Sequence, residues 1–283
     1  MGLTIEEWLQ AAERGDVEAI AVGLRGGIDL DAVRKWPDFE TILNAQQSGI
    51  EYDYDAAPYD RTALDIAVSR RHHAAIRILL DHGARPDLPG FQGLTPMTRA
   101  VLYSSAPWPW EMGEWEHDPE PLRLMLEAGY RLGLKDAALR NDLDLVRQRL
   151  DEGANPDDGE WTYFGPTLAL AALLGYRDMV KLLLDRGANI LARNDAGMDA
   201  LGYAADSGKV EVVTLLLDRG NLDPSGLLGM AARAGHADLV REMIRRRVDL
   251  HEVDCYGRTP LDWAIERGHE DIADWLRQAV TER

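Results

Sequence analysis

Residues 257–276 read Gly257-Arg258-Thr259-Pro260-Leu261-Asp262-Trp263-Ala264-Ile265-Glu266-Arg267-Gly268-His269-Glu270-Asp271-Ile272-Ala273-Asp274-Trp275-Leu276. Thr259 can cap a helix and Pro260 suits its first turn. Leu261 and the small Ala264 fall at helical spacing. Gly268-His269 interrupts the pattern. A second amphipathic run, Ile272-Ala273 and Leu276, follows. The stretch predicts two short helices reversed by a glycine turn.

The same frame recurs along the chain. It returns as Thr62-Ala63-Leu64-Asp65-Ile66-Ala67, ending in Leu79-Leu80-Asp81-His82-Gly83-Ala84. It returns as Thr95-Pro96-Met97-Thr98-Arg99-Ala100, and as Leu168-Ala169-Leu170-Ala171-Ala172, ending in Leu182-Leu183-Leu184-Asp185-Arg186-Gly187-Ala188-Asn189. Weaker copies begin near Leu201 and Leu228. Ala67 and Ala100, Ala171 and Ala204, and Ala231 and Ala264 are each 33 positions apart. Several anchors recurring in one register make the chain resemble the ankyrin-repeat family, whose units open on Thr-Pro-Leu-His-x-Ala at that period.

The resemblance implies an all-α ankyrin-repeat solenoid of about eight helix-turn-helix units, joined by hairpin-like fingers and enlarged by two insertions. Glycines 83, 129, 153, 187 and 220 fall just after the second helix of a unit, where a left-handed residue is expected. We read the chain as one repeat domain over residues 1–283. It comprises an N-terminal capping repeat at 1–36, an acidic insertion at 37–60, central repeats at 61–257 with an insertion at about 104–120, and a C-terminal capping repeat at 258–283. Four places depart from the pattern. The fourth unit reads Gly133-Leu134-Lys135-Asp136-Ala137-Ala138 in place of Thr-Pro-Leu. The finger Asn221-Leu222-Asp223-Pro224-Ser225 is short, and the two insertions enlarge their units.

Composition narrows the function. The 283 residues carry a formal net charge of −18. Such a surface repels phosphate backbones and anionic lipid heads, so nucleic acid and membranes are not expected partners. Lys occurs only at positions 35, 135, 181 and 209, and with abundant Ala, Gly and Leu this points to a GC-rich bacterial coding bias. No apolar run approaches a membrane span, and the N-terminus lacks the basic and apolar regions of a secretory signal. Gly2 does not open a myristoylation motif, because Glu6 stands where Ser or Thr is required. We expect a cytoplasmic protein. The single cysteine, Cys255, can form no internal disulfide, and a small buried or half-buried side chain is the expectation for it.

No catalytic residue, cofactor or metal is expected. The chain holds no phosphate-binding glycine loop, nucleophile elbow or His-Glu-x-x-His motif. His72, His73, His236 and His269 lie at or beside inter-helix turns, where the repeat itself uses histidine. His82, His117 and His251 are isolated.

In an ankyrin-type stack each unit touches only its neighbours, and the family resemblance implies a concave surface floored by first helices and walled by fingers. The residue before the first anchor alanine of each unit points there: Ile66, Arg99, Asp136, Leu170, Tyr203, Met230 and Trp263. Leu102, Tyr103, Leu139, Leu173, Leu174 and Arg233 follow it. Aromatic, Met and Arg side chains are enriched in interfaces, so this apolar floor is expected to stay exposed and bind a partner. The alternative for these side chains is burial between neighbouring repeats. Three loops share a second chemistry. One carries Tyr52 and Tyr54 among acids. One carries Trp108, Trp110, Glu111, Glu114, Trp115, Glu116 and Asp118. One carries Trp161, Tyr163 and Phe164 after Asp157 and Asp158. Segments 51–60, 111–120 and 157–160 hold four, five and three acids, twelve in all, and no Lys or Arg. An acid beside an aromatic can pair a cation and cover its apolar stem.

These readings converge on a protein-binding module for a basic protein partner. A small acidic ankyrin protein of a bacterium resembles immunity proteins that neutralise a cognate toxin. A general adaptor or a secreted effector aimed at a host protein is the alternative, and an enzyme with an unrecognised carboxylate and histidine site is a more distant one.

Overall fold

The computed structural model describes residues 2–33, 61–90, 94–104, 117–158, 165–220 and 222–282. Among them sixteen helices form eight pairs. Each pair joins an inner helix to an outer one. The pairs are α1 Ile5–Arg14 with α2 Val17–Arg25, α3 Ala63–Ser69 with α4 His73–Asp81, α5 Pro96–Ser104 with α6 Glu120–Glu127, and α7 Leu134–Leu139 with α8 Leu143–Asp151. They continue with α9 Thr167–Leu174 and α10 Arg177–Asp185, α11 Ala200–Asp206 and α12 Val210–Gly220, α13 Leu227–Ala234 and α14 Ala237–Arg245, and α15 Pro260–Arg267 and α16 Glu270–Thr281. The only extended pairings among the described residues are the isolated antiparallel bridges Val33–Thr62 and Arg193–Asp199. The fold is all-α, as the repeat implied.

Local chemistry explains where helices start. Thr62 Oγ1 accepts from the Asp65 amide at 3.2 Å, and Thr95 Oγ1 accepts from the Thr98 amide at 3.0 Å. Thr259 closes a full capping box, accepting from the Asp262 amide at 3.1 Å while Asp262 accepts from the Thr259 amide at 2.9 Å. The fourth unit, which lacks the threonine, replaces it from inside the helix: Asp136 accepts from the Gly133 amide at 3.1 Å.

Helices end on left-handed residues. Gly83, Gly129, Gly153 and Gly187 follow outer helices with φ between +87° and +93°. Gly220 departs from the expectation. The short finger lets α12 run on through it, and a Cβ there would meet Ile190 and Leu222 at 2.7 Å, so close packing explains this glycine.

The contacts divide the chain into two compact units, Met1–Asp136 and Ala137–Arg283. Inside each, inner helices pack on the neighbouring inner helix and outer on outer: α1 on α3 and α3 on α5 in the first, α9 on α11, α11 on α13 and α13 on α15 in the second. Small side chains permit this approach. Ala67, Ala100, Ala204, Ala231 and Ala264 are fully buried between neighbours. Leu79 in the first unit and Leu183 and Leu216 in the second are fully buried on outer helices, each contributing about 1.5–3 kcal/mol.

Histidines tie successive repeats. His72 Nε2 donates to the Glu13 carbonyl at 2.9 Å, and His236 Nε2 donates to the Asp206 carbonyl at 2.6 Å. Each ring rests on a turn glycine of the preceding repeat, Gly15 and Gly208, and the His269 ring rests on Gly235 in the same way. In the sixth repeat the stem of Lys209 lies over Gly175 instead. His73 has a separate role and pairs with Asp118 at 2.8 Å.

Candidate protein-binding surface

Burial separates the floor residues into two groups. Ile66, Leu170 and Leu173 are buried, and so are Leu102 and Leu139. Leu174, Tyr203 and Met230 are half-buried, and Arg233 is exposed. The expectation of exposure is therefore corrected for Ile66, Leu102, Tyr103, Leu139, Leu170 and Leu173, and for Trp263, which is only 8% exposed. An inner helix has a neighbour on each side and an outer helix behind it, so only a narrow stripe faces outward.

In the first unit the floor is charged and closed. Arg99 donates to both carboxylate oxygens of Asp65, at 2.8 and 3.3 Å, and both side chains are buried. Asp65 also lies 3.5 Å from Arg61 Nε. Desolvation works against the Arg99 cation, yet the adjacent Asp65 carboxylate holds its pKa above the ordinary value. Tyr103 is buried with Arg71 over its ring at 5.3 Å. Asp136 receives the Thr98 hydroxyl at 2.7 Å. Arg99 and Asp136 are thus structural groups of the first unit.

The acidic loops lie largely outside the described residues. This holds for Tyr52, Tyr54, Trp108, Trp110, Glu111, Glu114, Trp115, Glu116, Trp161, Tyr163 and Phe164. Four loop acids are described, Asp118, Glu120, Asp157 and Asp158, and Glu120 pairs with Arg123. Asp118 pairs with His73 and accepts from the Glu120 amide at 3.1 Å. Asp157 accepts from the Asn189 amide at 2.7 Å.

The second unit carries an open site. The finger Glu252–Arg258 stands beside α13 and α15, and between them lies a cleft of about 290 Å³ that brings together Met230, Arg233 and Trp263. The Trp263 indole donates to Asp254 at 2.8 Å and carries three guanidinium groups around its ring, Arg258 at 4.4 Å, Arg267 at 5.6 Å and Arg233 at 5.7 Å. Asp254 also accepts from the Tyr256 amide at 2.8 Å and the Arg258 amide at 3.1 Å. Partial desolvation raises the Asp254 carboxyl, but these hydrogen bonds outweigh it and hold the group below its ordinary pKa. The finger is therefore a hydrogen-bonded turn tied to α15 through Trp263. Its outer side chains point to solvent: Val253 is 56% exposed and Tyr256 76% exposed.

Sequence reasoning did not select Val253 or Tyr256, and it placed Cys255 wrongly. Cys255 is exposed at the finger tip, not buried or half-buried, because it follows the turn-opening Asp254. The signal available was the turn pattern Asp254-Cys255-Tyr256-Gly257, which puts its middle side chains at a tip. Among the described residues no group of three or more His, Cys, Asp and Glu could hold a metal ion, and no helix is long and apolar enough to cross a membrane.

A family model of ankyrin repeats in three copies matches residues 134–226 and 223–282, and a single ankyrin-repeat model matches residues 59–90. The chain belongs to the ankyrin-repeat family, a class of protein-interaction modules. It is 34% identical over 138 residues to cyclin-dependent kinase 4 inhibitor B of Homo sapiens, covering 46% of this chain and 94% of that protein. It is 32% identical over 130 residues to cyclin-dependent kinase inhibitor 2A of Monodelphis domestica, covering 44% of this chain and 75% of that protein. It is 36% identical over 111 residues to a transient receptor potential cation channel subfamily A member 1 homolog of Caenorhabditis elegans, covering 38% of this chain and only 9% of that protein.

Proposed function

We propose that the chain binds one protein partner stoichiometrically and blocks or masks it, with the Glu252–Arg258 finger and the outward stripe of α13 and α15 as the contact. The observation that carries this reading is Tyr256. A tyrosine 76% exposed on a turn that is itself pinned at Asp254 contributes nothing to the core, yet it is held ready as an anchor. This hydrogen-bonded mounting also lowers the ordering cost of binding.

The net charge of −18 supports a basic partner, through long-range attraction that raises the association rate. The two relatives named as kinase inhibitors support a blocking output. A basic toxin neutralised by this chain is the finer reading. Capture from lysate of the source organism, followed by mass spectrometry, tests the proposal. A basic protein retained by the wild type and lost with Tyr256→Ala supports it. A protein retained equally by both forms, or no retained protein, counts against it.

A further inference from the structure

Charges in the first unit do not balance. Arg99 donates twice to Asp65, at 2.8 and 3.3 Å, and the second of those carboxylate oxygens also lies 3.5 Å from Arg61 Nε. The contact with Arg61 is an ion pair without a hydrogen bond, and the covered Arg61 Nε has no partner. Among the described residues the Arg61 guanidinium finds no hydrogen-bond acceptor for any of its donors. Arg70, whose charge also reaches Arg61, has an acid of its own in Glu13 at 2.8 Å. Three guanidinium groups thus share two carboxylates, and Arg61 is the surplus cation.

Its setting makes the surplus matter. Arg61 precedes Thr62, the cap of α3, and its side chain is only 21% exposed. Burial and the neighbouring Arg99 cation push the Arg61 pKa below its ordinary value, and Asp65 offsets them only in part. Arg99 shifts the opposite way, because Asp65 bonds it directly. Water can satisfy an N–H group but supplies no counter-charge. A largely desolvated cation lacking a counter-ion is unfavourable, and an anion relieves it. On a chain of net charge −18 this is a local excess of the opposite sign. That net charge repels an extended polyanion, whereas a single small oxyanion meets mainly the local field.

We infer that Arg61 and Arg99 form a receptor for one oxyanion, with Arg61 donating to it, Arg99 adding charge behind it and Asp65 holding the two arginines together. Guanidinium groups bind carboxylate and phosphate oxygens through paired N–H donors. A protein carboxylate and a free phosphate present the same oxygens. The site lies wholly in the first unit and stands apart from the finger of the second.

Thermal denaturation of the full chain at fixed ionic strength, in chloride, in acetate and in inorganic phosphate, tests the inference. The forms compared are the wild type, Arg61→Gln and Arg219→Gln. The wild-type midpoint is expected to rise saturably with acetate or phosphate. A response to acetate assigns a carboxylate, and a response to phosphate alone assigns a phosphate group. Arg61→Gln is expected to abolish the rise and, in chloride, to melt roughly 2–4 °C above the wild type, because the surplus cation is gone. Arg219→Gln, which removes a cation from an exposed pair, is expected to keep the rise. No saturable rise in the wild type, or an equal rise in Arg61→Gln, would overturn the site. So would Arg61→Gln melting below the wild type in chloride, the mark of an arginine that only supports the fold.

Discussion

His236 rests its ring on Gly208 while its Nε2 donates to the Asp206 carbonyl at 2.6 Å, so one side chain reads both the shape and the polarity of the preceding turn. Gly208 sits at φ +66°, and a Cβ there would lie 2.7 Å from the imidazole. Gly208→Ala is expected to cost about 2–3 kcal/mol, from left-handed strain and the displaced ring together. Gly187→Ala supplies the control: its φ is +89° but a Cβ meets nothing within 4 Å, so only the strain of about 1–2 kcal/mol is expected. Urea denaturation of both variants checks the difference. Equal losses would show that the histidine contact carries no stability.

Arg247 occupies the position that glycine fills after other outer helices, and it does so at φ +60°. Its side chain is exposed. Arg247→Gly is expected to raise stability by about 0.5–1 kcal/mol, relief of strain exceeding the added freedom of the unfolded chain. A denaturation midpoint shifted upward at unchanged slope is the readout.

The buried pair of the first unit behaves differently from the surface pairs. Asp65 serves Arg99 at 2.8 Å and Arg61 at 3.5 Å, so removing it strands two guanidinium groups, one of them buried. Asp65→Ala is expected to cost about 3–5 kcal/mol, and the paired change Asp65→Leu with Arg99→Met to recover most of that loss, Arg61 alone being left without its acid. By contrast Arg219→Ala, which removes the exposed contact with Asp185, is expected to cost less than about 1 kcal/mol. Chemical denaturation of the set measures the ordering.

Glu242 gives the pH dependence a sign. The hydrogen bond from Arg245 is the largest influence, desolvation opposes it, Arg246 adds to it, and the carboxyl is held below its ordinary 4.5. A depressed folded pKa means stabilisation that is present above the unfolded value and is lost as pH falls through the folded value. Lowering pH from about 5 to 3 is therefore expected to destabilise the wild type more than Glu242→Gln, by less than about 1 kcal/mol because Arg245 is exposed and screened. Melts at matched ionic strength test it. A larger loss in Glu242→Gln would reverse the sign.

The repeat was legible because each unit reuses threonine, alanine, glycine and paired leucines for a separate physical task, and the tasks recur at one period. Helix pairs, caps and turn glycines follow from those tasks. Burial on the inner helices was not legible residue by residue. Leu170 and Leu173 look like a surface stripe in one helix, but neighbours on both sides cover them. The Arg99–Asp65 pair was readable in principle, since positions 65 and 99 lie one repeat and one residue apart, which stacks them on adjacent helices. Trp263 illustrates the opposite error. Its position before an anchor alanine suggested an exposed contact, whereas its bond to Asp254 makes it the mount of the finger. Tyr256 and Val253 belong to a turn, where no periodicity marks a residue as exposed or useful.

The claim that the finger and its cleft form the contact surface is tested most directly by hydrogen–deuterium exchange of the full chain with and without its captured protein partner. The expected result is protection concentrated in Glu252–Arg258 and in the backbone of Gly226–Arg233. Protection confined to the outer helices α14 and α16, with exchange in the finger unchanged, would contradict the account.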